Sequence, residues 1–269
     1  MTRFRLAGVA AFVVASVALA QTDEDAGAPA AAKAAAAPVG AAELSAKLDE
    51  KWVTRDSPSS IKDASQAIAD GLKAFPKDYD LLWRSARTRW FMADGHDAAH
   101  ADLKKSLAKE AWGYADRALA VKPGAFEGHY YKALSIGAYS EAIGIVTALT
   151  EGIEKQFVEN LDIALKANEG YDRAGPLRAK GRYYAQLPWP KRDREKSVEF
   201  LNRAIKSAPD ATRSHLYLAE VLLQAGKAKE AQAAMRKVYS LSPNFDPPEG
   251  RRVLNWAKPI AAEIEAELK

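Results

Sequence analysis

The stretch from 214 to 243 carries apolar residues at a helical spacing. Two apolar stripes with steps of three and four residues predict two facing helices. The first stripe contains Leu218, Ala219 and Leu222, and the second contains Ala231, Met235 and Val238. Gly226 lies between the stripes and predicts the turn, and Pro243 ends the second helix. The pattern therefore predicts a helical hairpin, with the small Ala219 and Ala231 at its closest contact.

A similar helix ending recurs along the chain. At each place, small or aliphatic residues and a basic or polar residue precede a helix breaker, with a glutamate in the position of proline in one case. These positions are Pro76, Pro123, Glu169, Pro209 and Pro243. Successive positions are 47, 46, 40 and 34 residues apart. A period of 34 is that of the tetratricopeptide repeat, whose hairpins stack because one hairpin cannot cover its own apolar face.

The periodicity predicts eleven helices and no strand. The predicted helices cover 41–55, 60–75, 79–93, 102–121, 126–143, 152–168, 175–187, 193–208, 211–225, 228–241 and 249–267. Ser60 is the expected cap of the second helix. Pro188 and Pro190 predict an inserted loop, and Pro259 predicts a break in the last helix. The predicted fold class is all-α, a right-handed α-solenoid of tetratricopeptide-like helical hairpins with a C-terminal capping helix.

The first twenty residues have the pattern of a secretory signal peptide. A basic head precedes an apolar run, and Ala18-Leu19-Ala20 predicts cleavage before Gln21. An uncleaved membrane anchor is the alternative, although the apolar run is short for a bilayer span. The predicted organisation is a signal peptide at 1–20, an Ala/Pro-rich flexible linker at 21–40 and a tetratricopeptide-like α-solenoid domain at 41–269.

Composition narrows the function classes. The net charge of +4 over 269 residues is too small an excess for a nucleic-acid footprint, so no nucleic-acid partner is expected. The chain has no Cys, which excludes disulfides, thiolate metal sites and a lipid-modified N-terminal Cys. No stretch after the signal peptide predicts a transmembrane segment. We therefore expect an exported, soluble periplasmic protein.

Signatures of catalysis are missing from the sequence. It has no Gly-rich phosphate loop, no HExxH, no Gly-x-Ser-x-Gly and no thiol nucleophile, so we expect no enzyme, no catalytic residue and no cofactor. His96 and His100 are four residues apart, as in a two-His metal site, but nothing fixes a third ligand. We interpret them as a loop or helix-start pair and expect no metal. His129 and His215 occupy equivalent places in two hairpins, where a packing role is expected.

The central run 127–188 resembles the TatT family, the tetratricopeptide-like periplasmic partners of tripartite ATP-independent periplasmic (TRAP) transporters. Similarity continues through the repeat from Pro209 to Pro243. The residues that carry it are His129-Tyr130-Tyr131, Gly137, Gly144, Tyr171-Asp172, Ala174-Gly175-Pro176, Gly181-Arg182-Tyr183-Tyr184 and Leu187-Pro188. Regulators of microtubule dynamics look similar over the same run, but the export signal favours TatT.

The TatT resemblance implies a non-catalytic periplasmic protein that assembles with a solute-binding protein. It implies help in the uptake of small, partly apolar organic acids. It also implies a homo-oligomer with a pore through each subunit. TatT relatives can be lipoproteins, whereas this chain lacks the Cys for a lipid anchor. The alternative is a generic tetratricopeptide scaffold in a cell-envelope assembly that binds a protein or peptide.

A ligand site is expected where the first helix of each hairpin lines the concave groove. Aromatic walls with a few guanidinium groups suit a small carboxylate with an apolar tail, because Arg binds the carboxylate and the rings cover the tail. The candidate ligand-binding residues are Trp83, Arg87, Trp90, Tyr130, Arg178, Arg182 and Arg213. The alternative is that the aromatic residues pack neighbouring hairpins and the arginines are solvated.

Overall fold

A computed structural model describes residues 40–241 and 246–269. The predicted signal peptide, and the predicted linker up to residue 39, lie outside the described residues. The first helix begins at Ala41, directly after Gly40.

The described residues form twelve α-helices and one short 3-10 helix, with no strand among them. The helices are α1 (Ala41–Val53), α2 (Pro58–Ala74), α3 (Tyr79–Asp94), α4 (Ala101–Val121), α5 (Phe126–Ile143), α6 (Ile145–Thr150), α7 (Glu154–Ala167), α8 (Tyr171–Gln186), α9 (Arg194–Ser207), α10 (Thr212–Gln224), α11 (Ala228–Ser240) and α12 (Pro247–Glu267). The 3-10 helix covers Ala98–His100.

Neighbouring helices pair into five hairpins. These are α1–α2, α3–α4, α5–α7, α8–α9 and α10–α11, and α12 packs against the last pair. The all-α solenoid of helical hairpins predicted from the sequence is confirmed. Ala219 and Ala231 are fully buried in the core of the last hairpin, as their small size predicts for its closest contact.

Two sequence predictions about individual helices are wrong, one about an N-cap and one about a break. Ser57, not Ser60, caps α2: its side chain accepts a hydrogen bond from the Ser60 N–H, and Pro58 occupies the first helical position. The last helix continues through Pro259 instead of breaking there. A proline removes one backbone hydrogen bond, whereas Val253 and Ile264 are buried on either side of it and hold both halves of α12 against the core.

The six-residue α6 was missed from the sequence. It lies between Gly144 and Gly152, whose φ angles of 89° and 72° are in the region that favours glycine. This insertion between α5 and α7 explains part of the spacing above 34 residues in the third hairpin. Its apolar side packs Ala148 against Ile136 and Ile153.

Two histidines connect hairpins to the preceding helix ends. Nε2 of His129 donates to the Pro123 carbonyl at 2.8 Å, and Nε2 of His215 donates to the Pro209 carbonyl at 2.9 Å. Each acceptor lies six residues before its histidine, at the helix breaker that defines the repeat. The equivalent places predicted for the two histidines therefore correspond to the same interhelical contact.

Candidate ligand-binding cavity

A cavity of about 130 Å³ lies among the first helices of the hairpins. Residues of α3, α5, α8 and α10 line it, and α6 and α7 complete its wall. A dry cavity of roughly this size holds one benzene ring in a well-studied protein. The cavity is therefore large enough for a small organic molecule.

Five of the seven candidate ligand-binding residues line this cavity. They are Trp90, Tyr130, Arg178, Arg182 and Arg213. The other two, Trp83 and Arg87, lie on earlier turns of α3, outside the cavity lining. Trp83 stacks on Tyr131 with ring centroids 5.9 Å apart, and Arg87 donates to Asp49 at 2.7 Å. Both side chains therefore pack one hairpin against the next.

The lining combines apolar and charged residues. The apolar residues come from α5 to the end of α8: Leu134, Ala138, Ile145, Ala148, Leu149, Phe157 and Leu187. The charged residues are three arginines and the carboxylates of Asp94, Glu141 and Glu154. This arrangement suits a small molecule with one apolar part and one polar part.

The three cavity arginines differ in how tightly a carboxylate holds them. Arg182 Nη1 donates to Glu220 Oε2 at 2.5 Å. Arg213 donates to Glu249 and lies 3.0 Å from Asp94. Arg178 lies 3.4 Å from the Asp172 carboxylate and donates to the main-chain carbonyl of Arg173 at 3.1 Å.

Neighbouring charges keep Asp94 and Arg182 of the lining ionised. Burial works against the charged form of Asp94, but Arg213 and Arg252 outweigh it and lower the pKa of this carboxyl. Burial likewise opposes the charge of Arg182, but Tyr217 and Glu220 keep its pKa above the usual value. The charged lining residues therefore form a compensated ionic network, and the arginines are not simply solvated.

A left-handed turn at the start of α8 forms part of the site that sequence reasoning missed. Asp172, Arg173 and Ala174 have φ angles of 50°, 54° and 59°. Three successive non-glycine residues in this region store backbone strain, which is common at binding sites. The turn places Asp172 Oδ2 where it accepts a hydrogen bond from the Tyr130 hydroxyl at 2.7 Å. Gly170 and the Gly175-Pro176 pair were the available sequence signals for a turn here.

Close packing keeps Tyr130 in this position. Its side chain is fully buried, and a Cβ at Gly175 would lie 2.0 Å from its hydroxyl oxygen. Burial and the neighbouring Asp172 carboxylate raise the pKa of Tyr130, so it stays a neutral donor. Glycine at 175 is therefore required by the floor of the cavity.

The start of α12 reaches back to the first hairpins beside the cavity. Arg55 Nη2 donates to both Asp246 carboxylate oxygens, at 2.8 and 2.6 Å. Arg252 donates to the Phe91 carbonyl at 2.9 Å and lies 3.1 Å from Asp94. These contacts join segments about 160 to 190 residues apart in the chain. The capping helix thus contributes ionic groups next to the candidate site.

The histidine pair does not form a metal centre with other ligands in the described part of the chain. His100 Nδ1 lies 2.9 Å from Asp97 Oδ1, and the His96 and His100 rings are 5.6 Å apart. Among the described residues, no group of three His, Cys, Asp or Glu side chains could hold a metal ion. No helix within 40–241 or 246–269 is both long and apolar enough to cross a membrane.

Solved structures of other proteins are similar to this chain. A thermophilic tetratricopeptide repeat protein of Thermus thermophilus shares 23% identity, with 78% of this chain and 96% of that chain covered, at a TM-score of 0.57. The MamA protein shares 16% identity over 73% of this chain and 90% of its own, at a TM-score of 0.44. The first similarity supports the tetratricopeptide-like fold.

None of the curated proteins matches the sequence. The family model described as Regulator of microtubule dynamics protein 1-3 matches residues 45–249. That match runs from within α1 to the first turn of α12, and it includes every hairpin that lines the cavity. The chain belongs to the family of Regulator of microtubule dynamics protein 1-3.

Proposed function

We propose that this chain is a non-catalytic interaction scaffold that binds a protein partner at the mouth of its cavity. The supporting observation is the exposure of two apolar side chains next to cavity-lining residues. Trp189 is 87% exposed and follows the cavity-lining Leu187 by two residues. Val146 is 63% exposed and follows the cavity-lining Ile145. Exposed Trp is a side chain that interfaces use as an anchor.

A site-specific crosslink tests this docking surface. A photo-crosslinking amino acid replaces Trp189 in one variant and Tyr239 of α11, which is 52% exposed, in a control variant. We expect one partner to crosslink at position 189 and not at 239. The identified partner, once purified, should bind the unmodified protein and lose at least tenfold in affinity with Trp189→Ser. Equal crosslinking at both positions, or an unchanged affinity with Trp189→Ser, would contradict the proposal.

A second candidate function follows from the cavity and from the TatT resemblance. In this proposal the chain is an exported periplasmic partner of a TRAP-type solute-binding protein, and it assists uptake of small, partly apolar organic acids. A lining that combines apolar residues with three arginines favours it, because such an acid has both an apolar part and a carboxylate. An oligomer and a periplasmic location are parts of this proposal.

Native mass spectrometry of the protein purified from its own cells tests the second candidate. We expect a bound organic acid in the wild-type protein and its loss in Ala179→Phe, because Ala179 lines the cavity and a phenyl ring would fill it. Ala233→Phe, at an exposed position of α11, is the matched control. Retention of the same acid by Ala179→Phe would show that it does not occupy the cavity.

A further inference from the structure

A smaller cavity of about 30 Å³ adjoins the main one. Trp90, Arg178 and Arg213 line both cavities, so the two cavities meet at these side chains. About 10–15 Å³ of such space accommodates one water-sized group, so the smaller cavity has room for roughly two. A carboxylate group or a single inorganic ion is of this size.

The N-terminus of α10 opens on the smaller cavity. Ala211, Thr212 and Arg213 line it at the point where the helix begins. The N-cap residue is Ala211, and no side chain caps the helix there. The first N–H groups of a helix have no acceptor within the helix, and they carry the positive end of its dipole. An anion is the ligand that this end of a helix favours.

Two residues of the same lining carry a buried polar atom without a partner. Thr212 is 2% exposed, and its Oγ1 has no hydrogen-bond partner among the described residues. Arg55 is 7% exposed, and its Nε likewise has no partner there. Both residues line the smaller cavity. Buried donors of this kind are costly unless a ligand or a water accepts from them.

Of the two arginines that line both cavities, Arg178 is the less tightly paired. Arg213 is held between Asp94 and Glu249, whereas the closest carboxylate to Arg178 is Asp172 at 3.4 Å. Arg178 is only 8% exposed, and among the described residues its guanidinium group donates, apart from the Asp172 carboxylate, only to the main-chain carbonyls of Asp172 and Arg173. A guanidinium group binds a carboxylate through paired N–H donors.

We propose that the smaller cavity is an anion subsite, formed by the N-terminus of α10, Thr212 and Arg178, that takes the carboxylate of a partly apolar acid. The apolar part of that acid lies in the main cavity, against Leu134, Leu149 and Phe157. This assignment rests on the second candidate function, and it names the residues that select an acid over a neutral molecule. The structure assigns selection to Arg178 and Thr212, and it leaves Arg182 to its pair with Glu220.

Calorimetric titration with three probes tests the subsite. Benzoate carries one ring and one carboxylate, benzyl alcohol is its neutral counterpart, and chloride is an anion without an apolar part. In halide-free buffer, we expect benzoate to bind the full-length protein at least tenfold more tightly than benzyl alcohol. We expect chloride to compete with benzoate and not with benzyl alcohol.

Two substitutions test which residues produce the preference for benzoate. Thr212→Val keeps the shape of the side chain and removes its hydroxyl, and Arg178→Met removes the charge. Each should weaken benzoate binding about tenfold and leave benzyl alcohol binding unchanged. Thr212→Val should not lower the melting temperature, because it removes an unpaired buried group. Arg203→Met, at an exposed arginine paired with Glu169, is the control and should leave both affinities unchanged.

The outcomes separate the subsite from the function of the cavity. Equal affinity for benzoate and benzyl alcohol, or unchanged benzoate binding in both variants, would overturn the subsite and leave a cavity that binds apolar molecules. No binding of benzoate or chloride would also overturn it. A bound acid in native protein that Ala179→Phe loses and Arg178→Met retains would support the second candidate function while overturning the subsite.

Discussion

Tyr130 shows how one buried side chain organises the floor of the cavity. Its hydroxyl needs an acceptor because it is fully buried, and Asp172 supplies one only because the backbone at 172–174 is left-handed. The hydroxyl in turn occupies the space where residue 175 would carry a Cβ. The strained turn, the tyrosine and the glycine therefore depend on one another.

Gly175→Ala should lower the free energy of unfolding by about 1–3 kcal/mol, because the added methyl group overlaps the Tyr130 hydroxyl. Gly113 is a matched control in α4, since a Cβ there meets nothing within 4 Å. Gly113→Ala should raise stability by up to about 1 kcal/mol, because alanine favours the helix. Urea unfolding of both variants measures these effects. Equal changes of the same sign would contradict the packing argument.

Arg182 and Arg178 should respond differently to truncation, although the sequence places both on the groove. Arg182→Ala removes the partner of Glu220 and should lower stability by about 1.5–3 kcal/mol. No carboxylate of the described residues lies within 3 Å of Arg178, so Arg178→Ala should lower stability by less than Arg182→Ala does. Thermal unfolding of the two variants compares them. A larger loss in Arg178→Ala would mean that Asp172 depends on Arg178 more than the distances indicate.

At the scale of helices, the sequence predicts long elements well and short ones poorly. The observed ends of α5 match the expected 126–143, because Pro123 and Gly144 mark both limits. The six residues of α6 are too few to show a helical period. Pro259 illustrates a different failure, since burial on both sides of a proline can hold a helix together against the local preference of that residue.

The repeat register in the sequence predicts only part of the candidate site. The repeat register places residues on the first helix of each hairpin, and five of the seven candidates line one cavity. The register does not show which turn of a helix faces the cavity. It therefore did not distinguish Trp83, outside the lining, from Trp90, two turns later and within it. Asp172 and Asp94 were missed because their roles depend on a backbone turn and on the start of α12, which are contacts between distant segments.

The last hairpin offers a test of close helix packing. Ala231→Leu should lower the free energy of unfolding by about 1–3 kcal/mol, because Ala231 is fully buried against the core around Ala219. Ala233→Leu changes an exposed position of the same helix and should alter stability by less than about 0.5 kcal/mol. Thermal melts of both variants provide the comparison. No loss in Ala231→Leu would mean that α10 and α11 pack in another register.

For the whole chain, export remains a prediction from residues outside the described part. Ala18-Leu19-Ala20 matches the small-residue cleavage rule, so the mature protein should begin at Gln21 or at its cyclised form. Intact-mass measurement of the protein from its own cells decides this. A mass that includes Met1 would contradict both the cleavage and the periplasmic part of the second candidate function.

Ionic contacts of Asp94 join the second hairpin to the last hairpin and to α12. This carboxylate lies 3.0 Å from Arg213 and 3.1 Å from Arg252, so it connects α3 with α10 and α12. Burial alone would raise its pKa, but the two arginines lower it below the usual value near 4, and Lys104 adds a smaller contribution in the same direction. Asp94 is therefore ionised in the folded protein across the neutral range.

Asp94→Asn should lower the free energy of unfolding at pH 7 by about 3–5 kcal/mol, because it leaves two buried arginines without this partner. The pKa of Asp94 is lower in the folded than in the unfolded chain, so its contribution is complete above the unfolded pKa near 4. The contribution is lost as the pH falls through the folded pKa. The difference between wild type and variant should therefore shrink from pH 4 downward, as measured by urea unfolding over pH 2.5–7.

Asp116→Asn, which removes a half-exposed partner of Lys132, is the control and should lower the free energy of unfolding by less than about 1 kcal/mol. An Asp94→Asn effect that is equally small, or that stays constant down to the lowest pH, would show that Asp94 does not hold α3 to α10 and α12.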